Sequence, residues 1–100
     1  GAGRGLWSYM AVNGTVKVIT KNGIHLRLAS ELVKAANRFH AEITISKDSQ
    51  EVNAKSILGV AGLGAEMGSE LLIKADGEDE NEALEYLIGL VESDFTKETR

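Results

Sequence analysis

The stretch NGIHLRLASELVKAANRF, residues 22–39, decides how the rest of the chain is read. Asn22-Gly23 is a turn signal, because these residue types tolerate backbone conformations that others resist. Beyond it, Leu28, Leu32, Ala35, Ala36 and Phe39 recur at helical spacing, which predicts an amphipathic helix from Arg27 to about Arg38. His25, one of only two histidines, stands at the junction of turn and helix. An imidazole there is open to several readings: a helix cap, a core filler, a metal ligand or a nucleophile.

Working outward, TVKVITK (15–21) alternates, with Val16 and Val18 on one side and Lys17 on the other, and predicts a strand ending at the Asn-Gly turn. AEITISK (41–47) alternates again and buries Ile43 and Ile45; DSQ then turns the chain into a short second arm, EVNA, as a hairpin. KSILGVAGLGAEMGS (55–69) predicts one or two helical turns after Ser56, followed by a loop. ELLIKA (70–75) is a strand burying Leu71 and Ile73. DGEDENEALEYLIGLVES (76–93) crowds acids at its start, where they favour the helix dipole, and repeats Ala83, Leu84, Leu87, Ile88 and Val91 at helical spacing. The alternating strands point to a sheet covered on one face, so the expected fold is α+β: a two-layer open-faced sandwich.

One hundred residues with 43% apolar and 26% charged content suit one compact domain, expected over residues 10–95. Residues 1–9, GAGRGLWSY, are expected to be an artificial remnant or a disordered leader, with Met10 the natural start, and residues 96–100 a flexible tail. No apolar run is long enough for a membrane helix, which needs roughly 20 residues. The absence of cysteine suits a reducing compartment, and the cytoplasm is the expected location. A net charge of -4, with the basic residues scattered, argues against nucleic acid as a partner.

If the helix begins at Leu26 or Arg27, His25 is its cap, beside first-turn N–H groups that attract anions. Arg27 can bring a planar guanidinium onto the oxygens of a phosphoryl group held there. Neutral imidazole is a good nucleophile near neutral pH, and its phosphoramidate is labile enough to pass the group on. Taken singly, a histidine at a helix start is more often a surface residue. His40, at the far end of the same helix, reads as a surface or carboxyl-end residue, and no Cys or His-acid spacing supports a metal site. Ser56 reads first as an N-cap and second as a kinase target, beside an apolar patch of Ile57, Leu58, Val60 and Leu63. GVAGLG (59–64) is turn chemistry that brings backbone close to the sheet: no Lys-Ser/Thr follows it, and it does not join a strand to a helix. DGEDENE lacks the ligand spacing of a calcium loop. Beyond His25 no general acid, base or metal constellation converges, which disfavours a freestanding enzyme.

Together, NGIHLRLASELVKAANRF, AEITI, VNAKSILGVAGLG and ADGEDENEALEYLIGLV resemble the histidine-containing phosphocarrier (HPr) family of the bacterial phosphoenolpyruvate-dependent sugar phosphotransferase system, from about Thr15 to Val91. The resemblance implies a four-stranded antiparallel sheet with three helices on one face. It implies that His25 is phosphorylated on Nδ1, that Arg27 clamps the phosphate, and that Ser56 is a regulatory serine for a dedicated HPr kinase/phosphorylase. It also places Ile57, Leu58 and Ala61 on an apolar docking surface. The partners it implies are enzyme I, enzyme IIA domains and a transcriptional regulator, with the chain a monomer that needs no bound cofactor. One departure stands out: the family usually has proline two residues after Arg27's neighbour Leu26, and this chain has Leu28 there. A proline at the first helical position pre-sets the backbone and removes an unpaired N–H; Leu28 restores that N–H for a phosphate. Leu26 is bulkier than the small residue the family often has, which bears on partner fit. The competing reading is an HPr-like regulatory module, a catabolite-repression or nitrogen-type paralogue, acting through Ser56 and the apolar patch.

Overall fold

The structure, a computed structural model, describes residues 11–96. The leader expected at 1–9 lies outside the described residues, as does most of the expected tail. Among the described residues seven elements follow in the predicted order: β1 (Val12–Lys17), α1 (Leu26–Ala36), β2 (Glu42–Lys47), β3 (Gln50–Asn53), α2 (Ile57–Gly62), β4 (Glu70–Asp76) and α3 (Glu80–Glu92). The strands form one antiparallel sheet in the order β1-β4-β2-β3.

The alternation read from the sequence explains the layers. Val16, Ile43, Ile45, Leu71, Ile73 and Ala75 are buried on the inner face of the sheet. Against them pack Leu28, Leu32, Ala35 and Ala36 from α1, Val60 from α2, and Ala83, Leu87, Leu90 and Val91 from α3. Each large aliphatic side chain in this core stabilises the fold by roughly 1.5–3 kcal/mol. The other face of the sheet is polar and open: Lys74 and Glu51 pair across it at 3.5 Å, and Thr44 Oγ1 donates to Glu51 at 3.1 Å. The two-layer open-faced architecture is as expected.

Three elements differ most in extent, each for a tertiary reason. β1 starts at Val12 instead of Thr15 and ends at Lys17, because β4 offers partners from Ala75, opposite Val12, down to Glu70, opposite Lys17. Gly14, in the part of β1 that the alternation did not mark, lies beneath α3: a Cβ there would sit 2.7 Å from Ile88 Cδ1. α1 stops at Ala36, where Asn37 turns its Nδ2 back onto Val33 O at 2.9 Å and also reaches Lys55 O at 3.3 Å. α3 starts at Glu80 because Asp76 completes β4 and Gly77 passes against Ala41, its would-be Cβ 2.6 Å from Ala41 Cα.

Asp79, at the N-cap of α3, does not cap its own helix. Its carboxylate accepts the backbone N–H groups of His40 and Ala41, each at 2.8 Å, and so ties the start of α3 to the connection between α1 and β2. The His40 N–H is the largest influence holding the Asp79 carboxyl below its ordinary value of 3.8, with the Ala41 N–H acting in the same direction.

The apolar patch expected around α2 is partly corrected. Val60 and Leu63 are 2% and 5% exposed and belong to the core, whereas Leu58 is 83% exposed. A six-residue helix lying on the sheet must turn one side inward, and Val60 and Leu63 lie on that side.

Candidate functional site

The loop before α1 is built to present one residue. Gly23 N–H donates to Thr20 O at 3.0 Å, and the buried Thr20 hydroxyl returns a bond to Gly23 O at 2.8 Å. Gly23 has φ of 72°, and a side chain there would run into the carbonyl of Ala65, so both conformation and space call for glycine. Ile24 then docks: its side chain is buried and its N–H donates to Ala65 O at 2.9 Å. With Ile24 pinned inward and the chain extended, His25 faces outward, exposed, at φ -76° and ψ 177°.

His25 is the N-cap of α1, as the sequence suggested. Its side chain makes no capping bond, and its carbonyl accepts the first helical hydrogen bond, from Ala29 N–H at 2.9 Å. The N–H groups of Leu26, Arg27 and Leu28 therefore have no helical acceptor, and no acidic residue occupies the first turn to neutralise them. That end of the helix carries a partial positive charge directly beside an exposed imidazole.

Arg27 lies in the same turn, but its guanidinium is engaged elsewhere. Nη1 donates to Glu31 Oε2 at 2.8 Å, one turn further along α1. The two side chains are 69% and 34% exposed, so this is a solvent-screened pair worth about 0.3–0.5 kcal/mol, readily exchanged for a stronger anion. Glu31 was not singled out from the sequence, although the four-residue interval from Arg27 was the available signal.

Leu28 is the third residue of α1, not the first, so the pre-setting attributed to a proline at the opening position does not apply as framed. Its N–H still belongs to the unsatisfied first turn, and its side chain is buried in the core. Ser56 is the N-cap of α2, as read, with Oγ accepting Gly59 N–H at 3.2 Å. Ile57 and Ala61 are half-buried beside the exposed Leu58. Among the described residues the exposed large hydrophobic side chains are Ile19, Leu26, Leu58 and Met67. Ile19 and Met67 come from two loops joined by hydrogen bonds between Val18 and both Gly68 and Ser69. Ile19 fell within the expected strand TVKVITK, on the side opposite Val16 and Val18, and Met67 lay in a stretch without periodicity.

His40 is exposed beyond the end of α1, on a different turn of chain from His25. Among the described residues no three His, Cys, Asp or Glu side chains come together in a way that could hold a metal ion. No described helix is long and apolar enough to cross a membrane.

This geometry can be set beside known proteins. The family model described as the phosphorylation site of the PTS HPr component matches residues 12–93. The HPr-like protein Crh of Halalkalibacterium halodurans is 43% identical over 83 residues, covering 83% of this chain and 99% of that one. The phosphocarrier protein HPr of Treponema pallidum is 42% identical over 84 residues, covering 84% of this chain and 96% of that one. A crystal structure of HPr-C-His from Thermoanaerobacter tengcongensis superposes with a TM-score of 0.82 at 39% identity, covering 88% of this chain and 99% of that one. The chain belongs to the HPr family, whose members are phosphocarrier proteins and not enzymes.

Proposed function

We propose that this chain accepts a phosphoryl group from enzyme I on His25 Nδ1 and passes it to an enzyme IIA-type acceptor in sugar uptake, working in the cytoplasm as a monomer. The observation that carries this reading is the position of His25: exposed, its side chain making no capping bond, at the N-cap of a helix whose first-turn N–H groups are free of helical acceptors. The neutral ring attacks phosphorus through the Nδ1 lone pair while Nε2 keeps its proton. The N–P bond forms as the donor's bond to phosphorus breaks, and the reverse exchange hands the group to the acceptor. The transferred oxygens meet the positive end of α1, and the Arg27 guanidinium is within the same turn to clamp them. Exposed Leu26, Leu58, Ile19 and Met67, with Ile57 and Ala61, supply apolar surface against which the donor and acceptor proteins can dock.

Incubation with enzyme I and phosphoenolpyruvate, followed by phosphorus NMR, tests this directly. One acid-labile phosphohistidine signal, lost on His25→Ala, is the expected result. An unmodified chain defeats the reading.

A second reading is an HPr-like regulator that works through phosphorylation of Ser56 by an HPr kinase/phosphorylase and docking on a transcriptional regulator. Leu28, in place of the proline usual in carriers, favours it, as does the suitability of Ser56: a phosphate at a helix start is compatible with the fold and adds about two negative charges beside Ile57 and Leu58. Full biological activity in a His25→Ala variant would support this alternative.

A further inference from the structure

We propose that Glu31 is a positioning residue for phosphoryl transfer: it holds the Arg27 guanidinium away from His25 in the unphosphorylated chain and competes with the phosphoryl group for it. The inference rests on the phosphocarrier reading above and names a component of the same site.

The geometry is specific. His25 caps α1, while Glu31 lies six residues further on, about 9 Å along the axis at the usual helical rise. Arg27 sits between them and donates to Glu31 Oε2 at 2.8 Å, so its charge is drawn toward the carboxyl-terminal side, away from the cap. Helix electrostatics do not account for the pair, because an acid placed after a base runs against the dipole and is the less favourable order. The pair is also open to water, the Arg27 side chain being 69% and the Glu31 side chain 34% exposed. It therefore biases the resting position of a flexible side chain by about twofold and is weak enough to be displaced.

A phosphoryl group on His25 would bring close to two negative charges and three acceptor oxygens to the amino-terminal side of Arg27. Against that, the single carboxylate of Glu31 loses the guanidinium. No covalent bond changes in this exchange; one ion pair replaces another. The free energy of the broken Arg27–Glu31 pair is subtracted from the stabilisation of phosphohistidine, which leaves the group easier to hand on. Glu31 thus keeps the carrier from holding its cargo too firmly.

The test is the equilibrium of phosphoryl exchange between enzyme I and the chain, read by phosphorus NMR for the native chain, Glu31→Gln, Arg27→Ala and the double variant. Glu31→Gln is nearly isosteric at a half-buried position, and it should shift the equilibrium toward the phosphorylated chain by about twofold, the size of a solvent-screened i,i+4 pair. In the Arg27→Ala background the same substitution should change nothing. An unchanged equilibrium for Glu31→Gln overturns the proposal. So does an equal shift with Arg27 already removed, since Glu31 would then act by its charge alone. Absence of phosphohistidine on the native chain would instead defeat the carrier reading itself, and this inference with it.

Discussion

The Arg27 guanidinium donates to the Glu31 carboxylate at 2.8 Å, so the cation nearest in sequence to His25 is paired one turn along the helix and not at the imidazole. The site at rest has two parts: an exposed ring at a positively polarised helix end, and a guanidinium parked beside it. A phosphoryl group would draw the two together. The separation matters for mutagenesis, because each part can be removed without touching the core.

His25→Ala and Arg27→Ala should leave stability within about 0.5 kcal/mol of the native chain, since both side chains are exposed and neither makes a capping hydrogen bond. Their effects on phosphorylation should differ. His25→Ala should abolish it. Arg27→Ala should slow it by at least about tenfold, the loss of a charge-assisted hydrogen bond being worth roughly 1.5–3 kcal/mol. Stopped-flow or quench-flow transfer from phosphorylated enzyme I measures the rate, and urea unfolding measures the stability. An Arg27→Ala variant with native rates would remove the clamp from the mechanism.

Ser56→Ala should destabilise the chain by about 1 kcal/mol, because it deletes the Oγ that accepts Gly59 N–H. Ser56→Asp should restore most of that loss, aspartate being an equally good N-cap. It should also weaken binding to enzyme I through the charge it adds beside Ile57 and Leu58. Calorimetric titration of the two variants separates the effects: an affinity loss in Ser56→Asp absent from Ser56→Ala is the expected pattern.

Two glycines should respond to alanine in a set order. At Gly14 the new methyl meets Ile88 Cδ1 at 2.7 Å, the end of a side chain that can rotate away. At Gly77 it meets Ala41 Cα at 2.6 Å, which is backbone. Overpacking costs typically about 1–3 kcal/mol, so Gly14→Ala should fall at or below the low end and Gly77→Ala at the high end or beyond. Denaturant midpoints of the two variants would contradict this account if their order were reversed.

Asp79 predicts an acid-sensitive contribution to stability. Its folded-state carboxyl is held below 3.8 by the N–H groups of His40 and Ala41, so the ionised form is favoured by folding. A depressed carboxyl contributes stability above its unfolded pKa, about 3.9, and loses it as pH falls through the folded value. Urea midpoints should therefore drop below about pH 4 in the native chain, and Asp79→Ala should show a shallower fall over the same range. Identical pH profiles would mean that the two backbone bonds do not discriminate between the charged and neutral carboxyl.

Much of the molecule was legible without coordinates. Period-two alternation in AEITISK and ELLIKA placed Ile43, Ile45, Leu71 and Ile73 inside, and helical spacing placed Leu28, Leu32, Leu87 and Val91 against them. These signals are local: side-chain direction in a strand or helix follows from backbone geometry alone. His25 as the cap of α1 and Ser56 as the cap of α2 were legible for the same reason, since a cap is defined by its immediate neighbours. What stayed hidden depends on residues distant in the chain. Gly14 belongs to a strand only because β4 pairs with it and α3 crosses above it. Asp79 looked like one acid among several, and only the fold brings it to the N–H groups of His40 and Ala41. Val60 and Leu63 read as surface until α2 lay down on the sheet and turned them inward. The sequence by itself determined which residues alternate, which cap and which histidine stands at a helix start; tertiary packing decided which apolar residues remain exposed, because burial depends on where the neighbouring layer comes to rest.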